Sequence, residues 1–561
     1  MSDSSKVLLA VVNSQFIHSN TAVYYLRGIL VRDGFNADVK SFSINDEILD
    51  ILNEILSGNP AVICFSCYIW NISLIYGLCR DIKKINSEIK IILGGPEVTY
   101  ESAEALEKSG ADLIIRGEGE AVISGAVRGL VAGTYPDIIG CFYKTNGKTI
   151  DKGIAKIKDL ETVITPFTDY MMNREKGKLI YYEASRGCPF NCIYCLSSAS
   201  TGVRYFPLER VFSDLNAILE YNPKIIKFTD RSFNTNEKRT LEILAFLGKT
   251  GTETCFHLEI FPAGLTENIM KAFEDMPPGR VQLEAGIQSV NLSTLKASER
   301  LQDPEKALSN MSRLLVSGNM HIHLDLIAGL PYEGVESFKT SFNETLITGP
   351  HMLQVGFLKL LKGTAARNME GYIYEENPPY EVLATPWLTF SELSQIKQVS
   401  GCVDMFHNTG RFRTFFSYMH EKSGNPYEFY KNLLAYLAKN KVSLKGISRT
   451  HKYEALAGFA GDDSLALERL RYDFMSSYSS KEIPDFLGGR SFSKEKVFTF
   501  LKDESNRMDF FPARTKESPK KLYKSCNIGA FDFGNGLETY LFKYSARNQV
   551  TGLFPAIPLY I

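Results

Sequence analysis

The stretch Arg186-Gly187-Cys188-Pro189-Phe190-Asn191-Cys192-Ile193-Tyr194-Cys195 places three cysteines within eight residues, with the spacing C-x3-C-x2-C. Thiolates are preferred ligands of iron–sulfur clusters and of zinc. A four-iron cluster normally takes four cysteines, so a loop with three leaves one iron open to a small chelating ligand. The stretch therefore predicts a metal centre with a vacant position. A zinc knuckle with a distant fourth ligand, or three incidental surface cysteines, are the structural alternatives.

This spacing, with an aromatic residue before the last cysteine, resembles the radical S-adenosylmethionine (SAM) superfamily. The resemblance implies that Cys188, Cys192 and Cys195 hold a [4Fe–4S] cluster. SAM would chelate the open iron through its amino and carboxylate groups, and Tyr194 would lie against the adenine.

Composition limits the remaining possibilities. The formal net charge of −1 and the pI of about 6.7 give no long-range attraction to nucleic acid or to an anionic membrane. The apolar run Val7 to Val12 is too short for a signal peptide or a membrane span. Ten cysteines in 561 residues are too sparse for a disulfide framework. We expect a cytoplasmic protein of about three domains, with no membrane and no nucleic-acid partner.

Residues 1–145 alternate strand-like apolar runs with helical patterns. The predicted strands are Lys6 to Val12, Ala37 to Phe42, Ala61 to Cys67, Lys90 to Leu93 and Ala111 to Arg116. Five strands separated by helices predict an α/β domain with an open, doubly wound parallel sheet. Such a sheet binds ligands beyond the carboxyl ends of its strands, where glycine lets the backbone approach a large flat ligand.

Those strand ends resemble the cobalamin-binding domain that precedes the radical SAM core in many enzymes. They carry Ser66, the run Gly94-Gly95-Pro96-Glu97 and the run Arg116-Gly117-Glu118-Gly119-Glu120. The resemblance implies cobalamin contacts from Gln15, Ser66, Gly94, Gly95, Glu118 and Gly119. A flavodoxin-like or receiver-like module that binds another ligand is the alternative.

One departure from cobalamin mutases concerns the cobalt ligand. The D-x-H-x-x-G motif is absent, and the matching loop runs from Ser14 to Asn20 and contains His18. A loop or capping role for His18 is favoured over axial ligation. Cobalamin would then bind with its lower base displaced and with Gln15 or Phe16 near the cobalt.

Residues 146–178 lack sustained periodicity and predict a linker. Residues 179–365 contain six strand–helix units, which predict a partial (β/α)6 TIM-like barrel, the fold that the resemblance also implies. The predicted strands are Leu179 to Ala184, Ile225 to Thr229, Thr254 to Ile260, Val281 to Ile287, His321 to Ala328 and Leu353 to Lys359. Chemistry is expected at the carboxyl ends of these strands, where the cysteine loop falls.

Three further sequence features lie in the barrel. Glu284-Ala285-Gly286-Ile287-Gln288-Ser289 resembles the family's E-x-G-x-Q-S pattern, which implies that Glu284, Gln288 and Ser289 contact SAM and that Gly286 leaves room for it. Asp230 follows the second strand, and two roles stay open for it: a structural salt bridge, or binding of SAM or substrate. His321 and His323 share one face of a strand, but Asp325 is their only acidic neighbour in sequence, so a second metal site is disfavoured.

Residues 366–561 predict a mainly helical C-terminal domain, with a hairpin about Asn535-Gly536. This part resembles the uncharacterised C-terminal extension of one subgroup of cobalamin-dependent radical SAM proteins.

The resemblance implies a class B methyltransferase-like enzyme. It would cleave SAM reductively to a 5′-deoxyadenosyl radical and methylate an unactivated carbon through methylcobalamin. A small-molecule or peptide substrate and a low-potential donor of flavodoxin or ferredoxin type are implied. Two alternatives stay open: a non-methylating rearrangement or ring contraction with cobalamin as electron carrier, and a sensor or carrier whose cluster only stabilises the fold.

Overall fold

The N-terminal domain contains the five predicted parallel strands, which are β1 Lys6–Asn13, β2 Asn36–Ser43, β3 Val62–Ser66, β4 Lys90–Gly94 and β5 Leu113–Ile115. Their order in the sheet is β2-β1-β3-β4-β5. The computed structural model describes residues 5–199, 202–443, 446–488 and 492–560. The helices are α1 Thr21–Arg32, α2 Ile48–Leu56, α3 Ile72–Ile85, α4 Pro96–Thr99, α5 Ser102–Ser109 and α6 Ile123–Val131.

Strand β1 shows why the sheet is covered on both sides. Its alternate residues belong to two separate cores: Val7, Leu9 and Val11 to the core shared with α1 and α6, and Leu8, Ala10 and Val12 to the core shared with α2 and α3. A strand that is apolar at every position buries both faces, as doubly wound sheets require.

An antiparallel hairpin that was not predicted extends the sheet beyond β5. Strands β6 Cys141–Thr145 and β7 Lys148–Asp151 pair around Asn146-Gly147, and β6 pairs with β5. Both turn residues have positive φ, 48° and 74°, as Asn-Gly hairpin turns do. The sheet thus continues into the segment expected as a linker, which ends with helix α7 Asp169–Arg174.

The second sheet is the predicted incomplete barrel, with six parallel strands in the order β8-β11-β12-β13-β14-β15. An antiparallel pair, β9 and β10, flanks it and carries the first cysteine. The strands are β8 Ile180–Tyr182, β9 Ser185–Cys188, β10 Gly202–Tyr205, β11 Ile225–Phe228, β12 Cys255–Ile260, β13 Val281–Gln288, β14 His321–Ala328 and β15 Met352–Phe357. The helices are α8 Leu208–Leu219, α9 Glu237–Lys249, α10 Glu267–Glu274, α11 Leu292–Ala297, α12 Pro304–Ser317 and α13 Val335–Ile347.

The C-terminal region is mainly helical, as expected. Its helices are α14 Phe390–Met405, α15 Arg413–Ser423, α16 Pro426–Lys439, α17 Arg449–Ala460, α18 Ser464–Ser477, α19 Lys494–Lys502, α20 Glu504–Phe510 and α21 Pro519–Tyr523. Its strands are β16 Ile373–Tyr374, β17 Val382–Ala384, β18 Cys526–Asp532, β19 Leu537–Lys543 and β20 Ala556–Leu559. The predicted hairpin about Asn535-Gly536 is confirmed as β18 and β19, with Asp532 opposite Leu537. Within the described ranges, no helix is both long and apolar enough to cross a membrane.

Candidate functional site

The cysteine loop is fixed to two distant parts of the chain. The Ile193 amide donates to the Ser298 carbonyl at 3.1 Å, and the Ile193 carbonyl accepts from the Ala366 amide at 2.9 Å. Within the loop, the Cys195 amide donates to the Cys192 carbonyl at 3.0 Å. Cys192 is buried, and Cys188 and Cys195 are half-buried. The three thiols are therefore presented by a backbone that tertiary contacts hold in place.

The spacing of these thiols argues against a preformed zinc knuckle. Ligand atoms of a tetrahedral zinc–thiolate site lie roughly 3.8 Å apart, because each Zn–S bond is about 2.3 Å long. Among the residues described, Cys188, Cys192 and Cys195 do not form a set of three ligand atoms that all lie within 4.8 Å of one another. At least one pair of their sulfurs is therefore further apart than a tetrahedral zinc site requires.

Asp230 anchors the chain just before the cysteine loop. Its carboxylate accepts from the Ala184 amide at 2.9 Å and from the Ser185 hydroxyl at 2.5 Å. The side chain is buried, and burial raises the pKa of Asp230 to about 6. Of its two predicted roles, these contacts support the structural one. The partners differ from the expected salt bridge, however, because Asp230 accepts from a backbone amide and a hydroxyl. Its contact with SAM stays a prediction.

Three polar groups that lack protein partners converge beside the cysteine loop. They are Gln288 Oε1, Tyr194 Oη and Arg300 Nε, each buried and without a hydrogen-bond partner in the part of the chain described. Arg300 Nη1 lies 3.9 Å from Cys192 Sγ, and Arg300 Nη2 donates to the Gly286 carbonyl at 2.5 Å. An amide acceptor, a hydroxyl and a guanidinium beside the cluster thiols fit a small zwitterionic ligand such as the aminocarboxylate of SAM.

The glycine of the E-x-G-x-Q-S pattern has a different role from the expected one. A Cβ on Gly286 would lie 2.1 Å from Gln288 Nε2 and 3.2 Å from Arg300 Nη2. Gly286 therefore makes room for these two side chains, with Gln288 held at a φ of 67°. The prediction that Gly286 clears space for SAM directly lacks support.

The other two residues of the pattern already have partners. Glu284 Oε2 accepts from Lys227 Nζ at 2.9 Å and lies 2.7 Å from His257 Nε2, deeper in the barrel than Gln288. Ser289 is fully buried, and its hydroxyl donates to Glu333 Oε1 at 2.5 Å. SAM contacts from Glu284 and Ser289 stay predictions, since each group is occupied by protein atoms.

A cavity of about 840 Å³ lies where the carboxyl ends of β3, β4 and β5 meet the barrel. Five of the six residues predicted to contact cobalamin line it: Ser66, Gly94, Gly95, Glu118 and Gly119. Arg186, Leu196 and Ser197, which flank the cysteine motif, line the opposite side. The cavity therefore opens toward the cysteine loop.

The aromatic pair Tyr68 and Trp70 forms one wall of this cavity. Their rings stack 4.5 Å apart at an interplanar angle of 5°. Stacked aromatic walls and glycine strand ends suit a large flat ligand such as the corrin ring. A second cavity, of about 460 Å³, shares Tyr68, Trp70, Arg186 and Arg231 with the first.

Gln15 is the predicted cobalamin contact that does not line either cavity. It is exposed, as is Phe16 at 78%, so the structure gives no support to the expectation that one of them faces the cobalt. His18 lines the smaller cavity, with Nδ1 2.8 Å from the Tyr181 hydroxyl. This contact joins the first domain to β8 and matches the loop role favoured for His18.

Arg186 and Arg204 link the two domains electrostatically. Arg186 Nη2 pairs at 2.6 Å with both Glu120 of the first domain and Glu183 of the barrel. Arg204 pairs with Glu118 at 2.5 Å. Burial opposes ionisation of Glu118, but the Arg204 hydrogen bond and the Ile157 amide outweigh it and lower its pKa. The predicted cobalamin contact Glu118 is therefore also an interdomain ion pair.

Sequence reasoning missed Arg300 and the Tyr68–Trp70 pair. Arg300 follows Gly286 by 14 residues, a spacing that matches no helix or strand period. The two residues meet only because α11 folds the chain back over the end of β13. The aromatic pair gave a usable signal, since two large aromatic residues directly follow a buried strand at the binding edge of the sheet.

Comparison with known families assigns all three parts of the chain. Residues 7–127 match the B12 binding domain, residues 182–344 match the radical SAM superfamily, and residues 370–549 match a protein family of unknown function, DUF4080. The first two families imply cobalamin, SAM and a [4Fe–4S] cluster as cofactors.

Curated relatives cover about half of the chain. An uncharacterized methyltransferase of Pyrococcus horikoshii, PH0819, is 27% identical over 276 residues, which are 47% of this chain and 60% of that protein. The cobalamin-dependent radical SAM methyltransferase TokK of Streptomyces tokunonensis is 24% identical over 319 residues, 52% of this chain and 46% of TokK. The chain thus spans between about half and three fifths of the length of these relatives.

Two solved structures share the fold. The cobalamin-dependent SAM radical enzyme OxsB, solved with aqua-cobalamin bound, aligns with a TM-score of 0.60 and 15% identity over 86% of this chain and 83% of OxsB. TsrM of Kitasatospora setae, solved with cobalamin and a [4Fe–4S] cluster, aligns with a TM-score of 0.55 and 14% identity over 67% of this chain and 82% of TsrM. The chain therefore belongs to the radical SAM proteins that carry an N-terminal B12-binding domain, a group similar to the class B radical SAM methyltransferases.

Proposed function

We propose that this protein is a cobalamin-dependent radical SAM methyltransferase that acts on an unactivated carbon of a small molecule or peptide. When bound, the cluster, SAM and cobalamin would supply reductive SAM cleavage and a transferable methyl group. The protein binds these groups, orients them and excludes water.

The observation that carries the proposal is the shared wall of the large cavity. Glycine strand ends of the B12-binding domain form one side, and residues on both flanks of the C-x3-C-x2-C loop form the other. A corrinoid in this cavity would face the cluster without intervening protein layers. Methyl transfer between the two cofactor sites needs such an arrangement, whereas a domain that only stores cobalamin does not.

The proposal assigns separate tasks to residues around the cysteines. Cys188, Cys192 and Cys195 would hold the cluster, while Arg300 would neutralise the carboxylate of SAM. Gln288 Oε1 would accept from the amino group of SAM, and Tyr194 would lie against the adenine. Arg186 would hold the B12-binding domain against the barrel mouth through Glu120 and Glu183.

The proposal also includes a small-molecule or peptide substrate, a reductant of flavodoxin or ferredoxin type, and a cytoplasmic location. Leu361 is the last of the described residues to line the cavity, and it precedes the C-terminal domain.

An anaerobic assay tests the proposal. The reconstituted protein is incubated with SAM, cobalamin and a low-potential reductant, and products are followed by mass spectrometry. Formation of both 5′-deoxyadenosine and S-adenosylhomocysteine is expected. 5′-Deoxyadenosine without S-adenosylhomocysteine over many turnovers, in the presence of bound cobalamin and a panel of acceptors, would favour a non-methylating enzyme. Neither product, with corrinoid bound, would favour a sensor or carrier.

A further inference from the structure

A cluster of ionisable side chains fills the barrel lumen below Gly286 and Gln288. We call it the lumen cluster; its members are Lys227, His257, Glu259, Glu284, His323 and Asp325. Glu259, Glu284 and His323 stand side by side on three adjacent strands, because Glu284 is in register with both of the others. Asp325 lies two residues further along β14, next to Gly286. Four strands thus bring together groups separated by nearly 100 residues of sequence.

Four of the six members of the lumen cluster contact one another. Glu284 Oε2 accepts from Lys227 Nζ at 2.9 Å and lies 2.7 Å from His257 Nε2. Lys227 Nζ also lies 3.5 Å from Glu259. These contacts hold the Glu284 carboxylate in place from the side of β11 and β12.

The remaining two members, His323 and Asp325, are less well satisfied. His323 Nε2 and Asp325 Oδ1 form an ion pair at 3.0 Å, yet they are not aligned for a hydrogen bond, and neither atom has a hydrogen-bond partner in the described chain. His323 is 6% exposed, so water does not readily replace the missing partner. A buried polar atom without a partner costs about 1–3 kcal/mol. The pair is therefore a site at which a ligand would be stabilised.

The charge balance points to a cation. Glu259, Glu284 and Asp325 contribute three carboxylates. Lys227 is the permanent cation of the cluster, His257 and His323 carry charge only if protonated, and Arg231, at the end of β11, acts on Glu259 from the mouth. With both imidazoles neutral, as metal ligation requires of His323, the carboxylates are in excess. Buried carboxylates in excess of their cationic partners are commonly neutralised by a metal ion.

The geometry admits a bound metal, and the poor alignment of the His323–Asp325 pair distinguishes it from a hydrogen-bonded ion pair. Two ligands at right angles on a metal, each at about 2.1 Å, lie about 3.0 Å apart. This matches the separation of His323 Nε2 and Asp325 Oδ1. A Glu284 oxygen completes a set of three ligand atoms that all lie within 4.8 Å of one another.

We propose that His323, Asp325 and Glu284 bind one divalent first-row transition metal in the barrel lumen, separate from the iron–sulfur cluster. One imidazole and two carboxylates are a donor set for Mn²⁺, Fe²⁺ or Zn²⁺, and the imidazole disfavours Mg²⁺ and Ca²⁺. Three protein ligands leave positions for water or for an oxygen or nitrogen atom of a substrate.

His321, on the same strand, does not belong to this site. Its ring lies 4.8 Å from that of His351, toward the amino ends of the strands. His321 and His323 therefore have different neighbours, although both lie on β14. Of the two, His323 is the metal ligand, together with Asp325 on the same strand and Glu284 on β13.

Mn²⁺ binding to the reconstituted holoprotein tests the site without turnover. The oxidised cluster and cob(III)alamin give no electron paramagnetic resonance signal, so free and bound Mn²⁺ can be counted directly. We expect about one bound Mn²⁺ per chain. His323→Ala and the nearly isosteric Asp325→Asn should each weaken binding at least tenfold, while His321→Ala should bind like the wild type. Corrinoid absorbance and circular dichroism verify that each variant is folded.

The variant Lys227→Met separates a metal site from an ordinary ion-pair network. It removes the cation that competes for Glu284, so Mn²⁺ should bind more tightly. Weaker binding in Lys227→Met would overturn the proposal. So would a wild-type protein that takes up neither Mn²⁺ nor added Zn²⁺ beyond its cluster, or folded His323→Ala and Asp325→Asn proteins that bind Mn²⁺ as the wild type does.

Discussion

The large cavity of the B12-binding domain and the lumen of the barrel are both built at parallel sheets, but their walls differ. Glycine, apolar and aromatic residues make up most of the cavity lining, and its charged residues Glu118, Glu120 and Arg186 are paired with other protein groups. In the lumen, the ionisable side chains of the lumen cluster project from the strands themselves. An open, flat sheet binds ligands with loops that follow its strands, whereas a curved barrel sheet, even an incomplete one, also encloses the middles of its strands.

The comparison predicts that the two cofactor regions can be disabled separately. Cys192→Ala removes a cluster thiolate and leaves every cavity-lining residue in place. It should abolish reductive SAM cleavage while cobalamin binding stays within about twofold of wild type. 5′-Deoxyadenosine is measured by mass spectrometry and corrinoid affinity by absorbance titration. Continued production of 5′-deoxyadenosine would mean that the cluster assignment is wrong.

The reciprocal change is Gly94→Val in the cavity wall. A Cβ at Gly94 meets only ordinary contacts, 3.8 Å from the Ile115 carbonyl, and it points to the face of β4 where Ile92 lines the cavity. Cobalamin affinity should fall by about tenfold or more, equivalent to about 1.4 kcal/mol, without a change in cluster content. Iron analysis and corrinoid titration measure the two quantities.

Gly95→Ala is the matched control for that change. Its Cβ would lie 2.5 Å from the Cys67 carbonyl at a φ of +117°, so this variant should lose thermal stability. If Gly94→Val also lost stability, the reduced affinity could not be assigned to the cavity.

Arg186 connects the two regions, so its removal should affect both. Arg186→Met leaves Glu120 and Glu183 without their shared cation in a largely buried position. We expect the free energy of unfolding to fall by about 3–5 kcal/mol, with weaker cobalamin binding. Chemical denaturation measures the first effect. The exposed Arg313, which also pairs with two glutamates, is the control: Arg313→Met should be indistinguishable from wild type.

The smallest expected effect is confined to pH dependence. Burial raises the pKa of Glu333 to about 7, although Ser289 and Ser341 lower it through hydrogen bonds. Because the folded pKa is above the unfolded value, the contribution of Glu333 to stability is complete below about pH 4.3 and is lost as the pH rises through 7. Glu333→Gln should flatten the decline of unfolding free energy between pH 5 and 7. An unchanged slope would show that Glu333 titrates normally.

Local sequence patterns predicted most of the fold. The five parallel strands, the six-stranded barrel and the terminal hairpin all follow from apolar runs and turn residues. The Asn146-Gly147 hairpin was missed, although its turn signal is as clear as that of Asn535-Gly536. Both of its strands are short, and β7, the edge strand of the sheet, is mostly exposed, so neither shows the long apolar run that marks the other strands.

The sequence by itself determined the cysteine motif and the glycine strand ends, because ligands that come from one loop appear as one contiguous pattern. Tertiary structure alone decided which polar groups meet. It placed Arg300 beside Cys192, assigned Asp230 to a backbone turn and brought Glu284 to His323. The reason is that parallel strands in a barrel are joined by helices, so side chains a few ångströms apart in the lumen are separated by about 25 or more residues of chain and leave no local pattern.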